Sequence, residues 1–192
     1  MKTAYLILIA LFLTACGGGA GLGTSSSKLN VKVGGKDSTM EIKSGGVYYG
    51  NVISTSPGKP PIQTFSHSIF VANYEMDTTN GATMKKPMTA PEQMRILISL
   101  QGEEGTKDDS PCKVGTYTLK AERFNKVSTV MITTFADGKE KSDSFDTMSS
   151  MSKADGEVKI TAVSADSVSG KVNLIEGDKS IKGTFTAVLP KN

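Results

Sequence analysis

The chain has 192 residues, with 22 Lys and Arg against 19 Asp and Glu, a single histidine, two cysteines and no tryptophan. A net charge of +3 over that length is too balanced for the electrostatic footprint of a nucleic-acid binder. One histidine and two cysteines supply too few soft ligands for a zinc site of the usual kind, and nothing in the composition calls for a cofactor.

Lys2 gives a short positive start, and Ala4 to Phe12 (AYLILIALF) an apolar run well below the roughly 20 residues that cross a bilayer as a helix. Residues 1–15 therefore read as a signal peptide. Its end, Leu13-Thr14-Ala15-Cys16, resembles the lipobox of bacterial lipoproteins. The resemblance implies a diacylglyceryl thioether on Cys16, cleavage before it and acylation of the freed amine, for example by palmitate. Two or three acyl chains anchor stably where one does not. Gly17 follows Cys16; by the same resemblance, an Asp there retains a lipoprotein at the inner membrane and other residues send it to the outer membrane of a diderm host. The competing reading is a secretory signal cut near Ala15 that leaves a soluble protein.

Residues 16–27 (CGGGAGLGTSSS) form a Gly/Ser tether. Its Gly-x-Gly run is no phosphate loop, because it neither follows a core strand nor opens a helix. Residues 28–192 are enough for one domain with one core. Leu29, Val31 and Val33 alternate with polar residues, Gly34-Gly35 turns, and Met40 and Ile42 alternate again, which predicts a hairpin. Ser44-Gly45-Gly46 reads as a break before Val47 to Ile53, and Ser54 to Pro61 as a loop, since clustered proline removes ladder donors. A strand around Ile69 to Ala72 follows, with a shorter one ahead of it.

Asp77 to Pro91 is the longest weakly patterned connection. Met94 to Leu100 alternates clearly, Gln101 to Lys113 is an acidic loop, and Gly115 to Ala121 turns Tyr117, Leu119 and Ala121 inward. Lys126 to Phe135 is a Val- and Thr-rich strand, Asp137-Gly138 a tight turn, and Lys139 to Met148 a weaker polar strand. The tail predicts a three-stranded meander with Val158, Ile160, Val168, Val172, Leu174, Ile181 and Phe185 on one face. Gly170 and Gly183, at inward positions, mark close approach or bends. No segment carries a helical period. The fold class is all-β: an antiparallel β-sandwich of about ten short strands, with a closed calycin-like β-barrel as the alternative.

Two strings, GEVKIT from Gly156 and VSGKV from Val168, with Gly183-Thr184-Phe185, are similar to the endings of small uncharacterised envelope lipoproteins. The Cys-Gly-Gly-Gly start is similar to surface lipoproteins that display β-barrels to host proteins.

His67 stands without a nucleophile elbow and reads as an ordinary strand or loop residue. Cys112, alone once Cys16 is acylated, should be buried or harmless. Glu103, Glu104, Asp108 and Asp109 lack the order that wraps calcium, so no metal site is assigned. The lysines, at alternate strand positions, read as a solvated face. Tyr48 and Tyr49 fall on opposite faces of one strand and are candidate binding residues. The chain thus reads as a non-enzymatic, membrane-anchored envelope lipoprotein presenting loops 54–61, 77–91 and 101–113 to a protein or glycan. The alternatives are a periplasm-facing accessory or inhibitor of an envelope protein and, third, a carboxylate-based hydrolase.

Overall fold

The computed structural model describes residues 27–56, 58–78, 86–107, 110–149 and 151–189. The leader, Cys16 and the tether up to residue 26 lie outside them, as do residues 79–85, 108 and 109 of the two longer loops. The regular structure is all β: β1 Lys28–Val33, β2 Lys36–Glu41, β3 Ser44–Ser56, β4 Lys59–Ala72, β5 Met94–Gln101, β6 Gly115–Thr118, β7 Lys126–Ala136, β8 Lys139–Ser144, β9 Asp155–Val163, β10 Ser167–Glu176 and β11 Lys179–Val188.

Eight strands close on themselves in the order β3-β4-β5-β7-β6-β9-β10-β11, with β11 returning to β3. The architecture is therefore the closed barrel, the alternative to the sandwich, and among the described residues all eleven strands belong to one sheet. Period-two alternation serves both architectures equally; what decides is that β11, fully paired with β10, also reaches β3. The β1–β2 hairpin pairs with the first part of β11 and inserts Leu29, Val31 and Met40 into the core. β8 extends the sheet from β7 as a wholly exposed polar strand.

The interior is filled rather than hollow. Phe65, Phe185, Leu29, Ile69, Ile96, Ile98, Leu100, Ile132, Ile160 and Leu174 are fully buried there, each contributing about 2 kcal/mol of transfer free energy. Gly170 stands where a Cβ would lie 2.7 Å from the Phe185 ring, so its bareness admits that ring. Gly183, at φ +143°, brings its backbone against the Lys28 carbonyl, which a Cβ would meet at 2.1 Å.

Three sequence expectations are corrected. Ser44-Gly45-Gly46 does not break a strand but opens β3. A Cβ on Gly45 would sit 2.9 Å from the Thr186 carbonyl and 3.2 Å from that of Phe70. The glycines are therefore where β11 and β4 crowd β3 as the barrel closes. Residues 54–61 are not a loop: β3 runs to Ser56 and β4 starts at Lys59, so the turn is tight. Pro60 and Pro61 are tolerated because β4 has no β5 partner before Ser66, and their missing N–H groups break no ladder on that side. The two strands expected between Ile62 and Met76 are one, continuous through Ala72.

A second apolar cluster lies on the outside of the barrel. Phe70 and Ala72, pointing outward from β4, are buried by Tyr74, Met76 and Met88 of the β4–β5 connection, with Leu97 and Phe135 beside them. A buried clasp secures this cover. Arg95 on β5 donates to Tyr74 Oη at 2.9 Å, the Lys86 carbonyl at 3.2 Å and Glu140 Oε2 at 3.1 Å, while Glu140 Oε1 accepts from the Met88 N–H at 2.9 Å.

Candidate functional site

Four of the buried polar side chains, Thr64, His67, Gln101 and Thr106, gather at one mouth of the barrel, at the β5–β6 connection. β5 ends at Gln101, and the chain continues along β4 beyond the ladder: the Gly102 N–H donates to the Phe65 carbonyl at 3.1 Å. Gly102 must be bare, since a Cβ would lie 2.1 Å from the buried Phe65 ring. Thr64 then donates to the Glu103 carbonyl at 2.9 Å and meets Thr106 Oγ1 at 2.7 Å, and Thr106 Oγ1 accepts the Phe65 N–H at 3.2 Å. Lys113 and Glu103 close the loop with an ion pair of 2.6 Å.

His67 lies beneath this strap, fully buried. Its ring sits 4.1 Å from the Phe65 ring and 4.8 Å, edge-on, from Tyr49, its cross-strand neighbour. Nε2 is 3.0 Å from the Ser110 carbonyl, which can only accept, so Nε2 carries the proton and Nδ1 is left a lone-pair acceptor. Nδ1 has no partner among the described residues. Burial outweighs the Ser110 bond and depresses the imidazole pKa to about 4. Cys112 is buried in the same region, its thiol pushed up to about 12 by burial. Burial, and then the nearby Cys112, raise both Tyr49 and Tyr117.

At neutral pH the mouth therefore holds an uncharged imidazole, a protonated thiol and neutral phenols. None is poised as a nucleophile or proton carrier, and together they form a packed aromatic cap. Among the described residues no three His, Cys, Asp or Glu side chains are placed to share a metal ion.

Tyr48 and Tyr49 do fall on opposite faces. Tyr48 is 52% exposed on the outer wall, while Tyr49 points inward against His67. The three loops proposed as one surface are divided. The β3–β4 turn and the β5–β6 strap share a mouth, tied by the Arg123 guanidinium to the Pro60 carbonyl at 3.3 Å and by Gln101 to the Arg123 carbonyl at 2.7 Å. The described parts of the β4–β5 connection, residues 73–78 and 86–93, lie at the other end of β4, with Tyr74, Met76 and Met88 against the outer wall. The residues that fasten the strap, Thr64, Gly102, Thr106 and Ser110, carry no periodic signal. The one hint in the sequence is Cys112, an apolar side chain inside an otherwise polar loop.

No family model matches the chain, and neither the curated proteins nor the solved structures contain a match to it.

Proposed function

We propose that this chain is an envelope lipoprotein, acylated at Cys16 and held by the 16–27 tether to a bacterial membrane, the outer one in a diderm host, whose barrel binds a protein or glycan without catalysing a reaction. The observation that supports binding at a defined place is the β3–β4 arm. Residues 59–65 of β4 continue past the end of β5, and the arm carries Ile53, 65% exposed on the face that Tyr49 presents to the interior lower down, with Tyr48 exposed on the outer face of the wall below. A large apolar side chain held in the open on a two-stranded arm, with an exposed tyrosine on the wall below it, suits recognition. The β5–β6 strap beside it is fastened at Thr64, Phe65 and His67 and widens the same surface.

Two measurements test this reading. Mass spectrometry of the protein purified from membranes should find Cys16 as the N-terminal residue, bearing diacylglycerol and an N-acyl chain. Protease added to intact cells should digest the barrel while a periplasmic control survives. Protection until the envelope is opened would move the search to periplasmic partners and favour an accessory or inhibitor role. The double variant Tyr48→Ser/Ile53→Ser should lose binding to whichever protein or glycan the intact protein captures. A partner bound equally well by that variant, and by one with residues 101–113 replaced, would remove this mouth from consideration.

A further inference from the structure

Strand register gathers lysines that are scattered in the sequence. Along β9, β10, β11 and β1 the inward positions are apolar, so Lys159, Lys171, Thr184 and Lys28 all face out. Lys159 pairs directly with Lys171, Lys171 with Thr184, and Thr116 of β6 stands on the far side of Lys159. Lys28, one step before the Leu29–Gly183 pair, continues the row across β1. In the next row Lys182 pairs with Asn173. Lys28 is bonded to Glu41 at 2.8 Å, whereas Lys159, Lys171 and Lys182 make no ion pair with a described residue.

Two like charges facing each other across a ladder destabilise it unless an anion lies over them. Here two such lysines, with Lys182 diagonal to Lys171, are exposed on one open wall among threonine and asparagine, and the carboxylate of Glu157, paired with Asn173 in the next row, leaves the wall a net excess of positive charge. The chain also enters the barrel on this wall: Ser27 Oγ is 3.5 Å from Thr186 Oγ1, and Thr186 pairs with Ser169 in the row beside Lys171. The tether thus joins the barrel at the lysine row.

We infer that this wall, from Lys28 through Lys171 to Lys159, docks on the anionic headgroups of the membrane that holds the tether. The inference rests on the anchored reading above. Entry of the tether at this wall favours the membrane over a soluble polyanion as occupant. Lysines near an anionic surface each strengthen association roughly fivefold, and salt screens the effect within a Debye length.

The test uses the full protein as purified from membranes, reconstituted into vesicles of phosphatidylcholine alone or with phosphatidylglycerol added, and an amine-reactive label read lysine by lysine. In the anionic vesicles Lys159, Lys171 and Lys182 should label at least about fivefold more slowly than in the zwitterionic ones, with Lys86 and Lys139 unchanged. High salt should abolish the protection, and Lys159→Gln/Lys171→Gln should release Lys182. Equal rates in both vesicles, equal protection of Lys86 and Lys139, or equal protection by a soluble acidic polysaccharide over zwitterionic vesicles would overturn the docking. Failure of the anchor would appear separately, as an unmodified Cys16 in the mass spectrum.

Discussion

His67 shows most plainly what a single residue does here. Its unfolded value is 6.5 and its folded value about 4, so between those pH values the unfolded chain binds a proton that the folded chain refuses. The stability held by neutral His67 is complete above 6.5, falls as pH drops through the window and is gone below about 4. The loss amounts to about 3 kcal/mol. Urea midpoints at about pH 7 and about pH 4.5 should diverge for the natural chain and converge for His67→Gln. Cys112, buried and with its thiol raised to about 12, should stay inert to a disulfide reagent in the native protein and react fully in denaturant. Gly102→Ala should cost about 1–3 kcal/mol by forcing the Phe65 ring aside. Part of that should return in Gly102→Ala/Phe65→Leu, measured by the same unfolding titrations. The sequence marks His67 as solitary and Cys112 as harmless, but contacts made across forty residues of chain leave no local pattern, so neither the imidazole's burial nor its Ser110 partner can be read from it.

At the scale of elements, strands were legible wherever one face meets the core and the other meets water. β9, β10 and β11 follow alternation closely, because each inward residue packs on the same cluster; β5 alternates too, although its outward Arg95, Ser99 and Gln101 are also buried. Reading failed where backbone chemistry had two meanings. Proline suggested a loop at 54–61, yet an arm with no neighbour on one side has no ladder bond there for proline to break. Glycine suggested a break at 44–46, yet its small size admits a neighbouring strand. Residues 77–91 read as a free loop because Met88 lies in a weakly patterned stretch, yet Met88, with Tyr74 and Met76 just before that stretch, covers Phe70 beside Leu97 on the outer wall. Arg95 makes that cover depend on Glu140 of β8. Replacing Glu140, itself 35% exposed, by Ala leaves the buried Arg95 guanidinium with only its Tyr74 and Lys86 partners and should destabilise by about 1–2 kcal/mol. Limited proteolysis should then cut residues 73–93 well before any other part of the barrel.

For the whole molecule, closure is a property of register and stagger, which alternation does not encode; a sandwich and a barrel share the same list of inward residues. The closure observed is uneven. β10 and β11 share ten aligned pairs, whereas β11 meets β3 at Val188 and Gly46 alone among the described residues. A cylinder joined along six of its seams by ladders of several rungs and along two, β11–β3 and β6–β7, by a single rung each has two preferred lines of rupture. Amide hydrogen exchange should therefore be fastest, within the ladders, at the two single-rung seams, around Gly46, Val47 and Val188 and around Thr118 and Lys126, and slowest in the β9–β10–β11 meander. The bare flank of Gly45 would then set how tightly the cylinder shuts: a methyl group there would hold the β11–β3 seam ajar and turn a local fluctuation into the first step of unfolding.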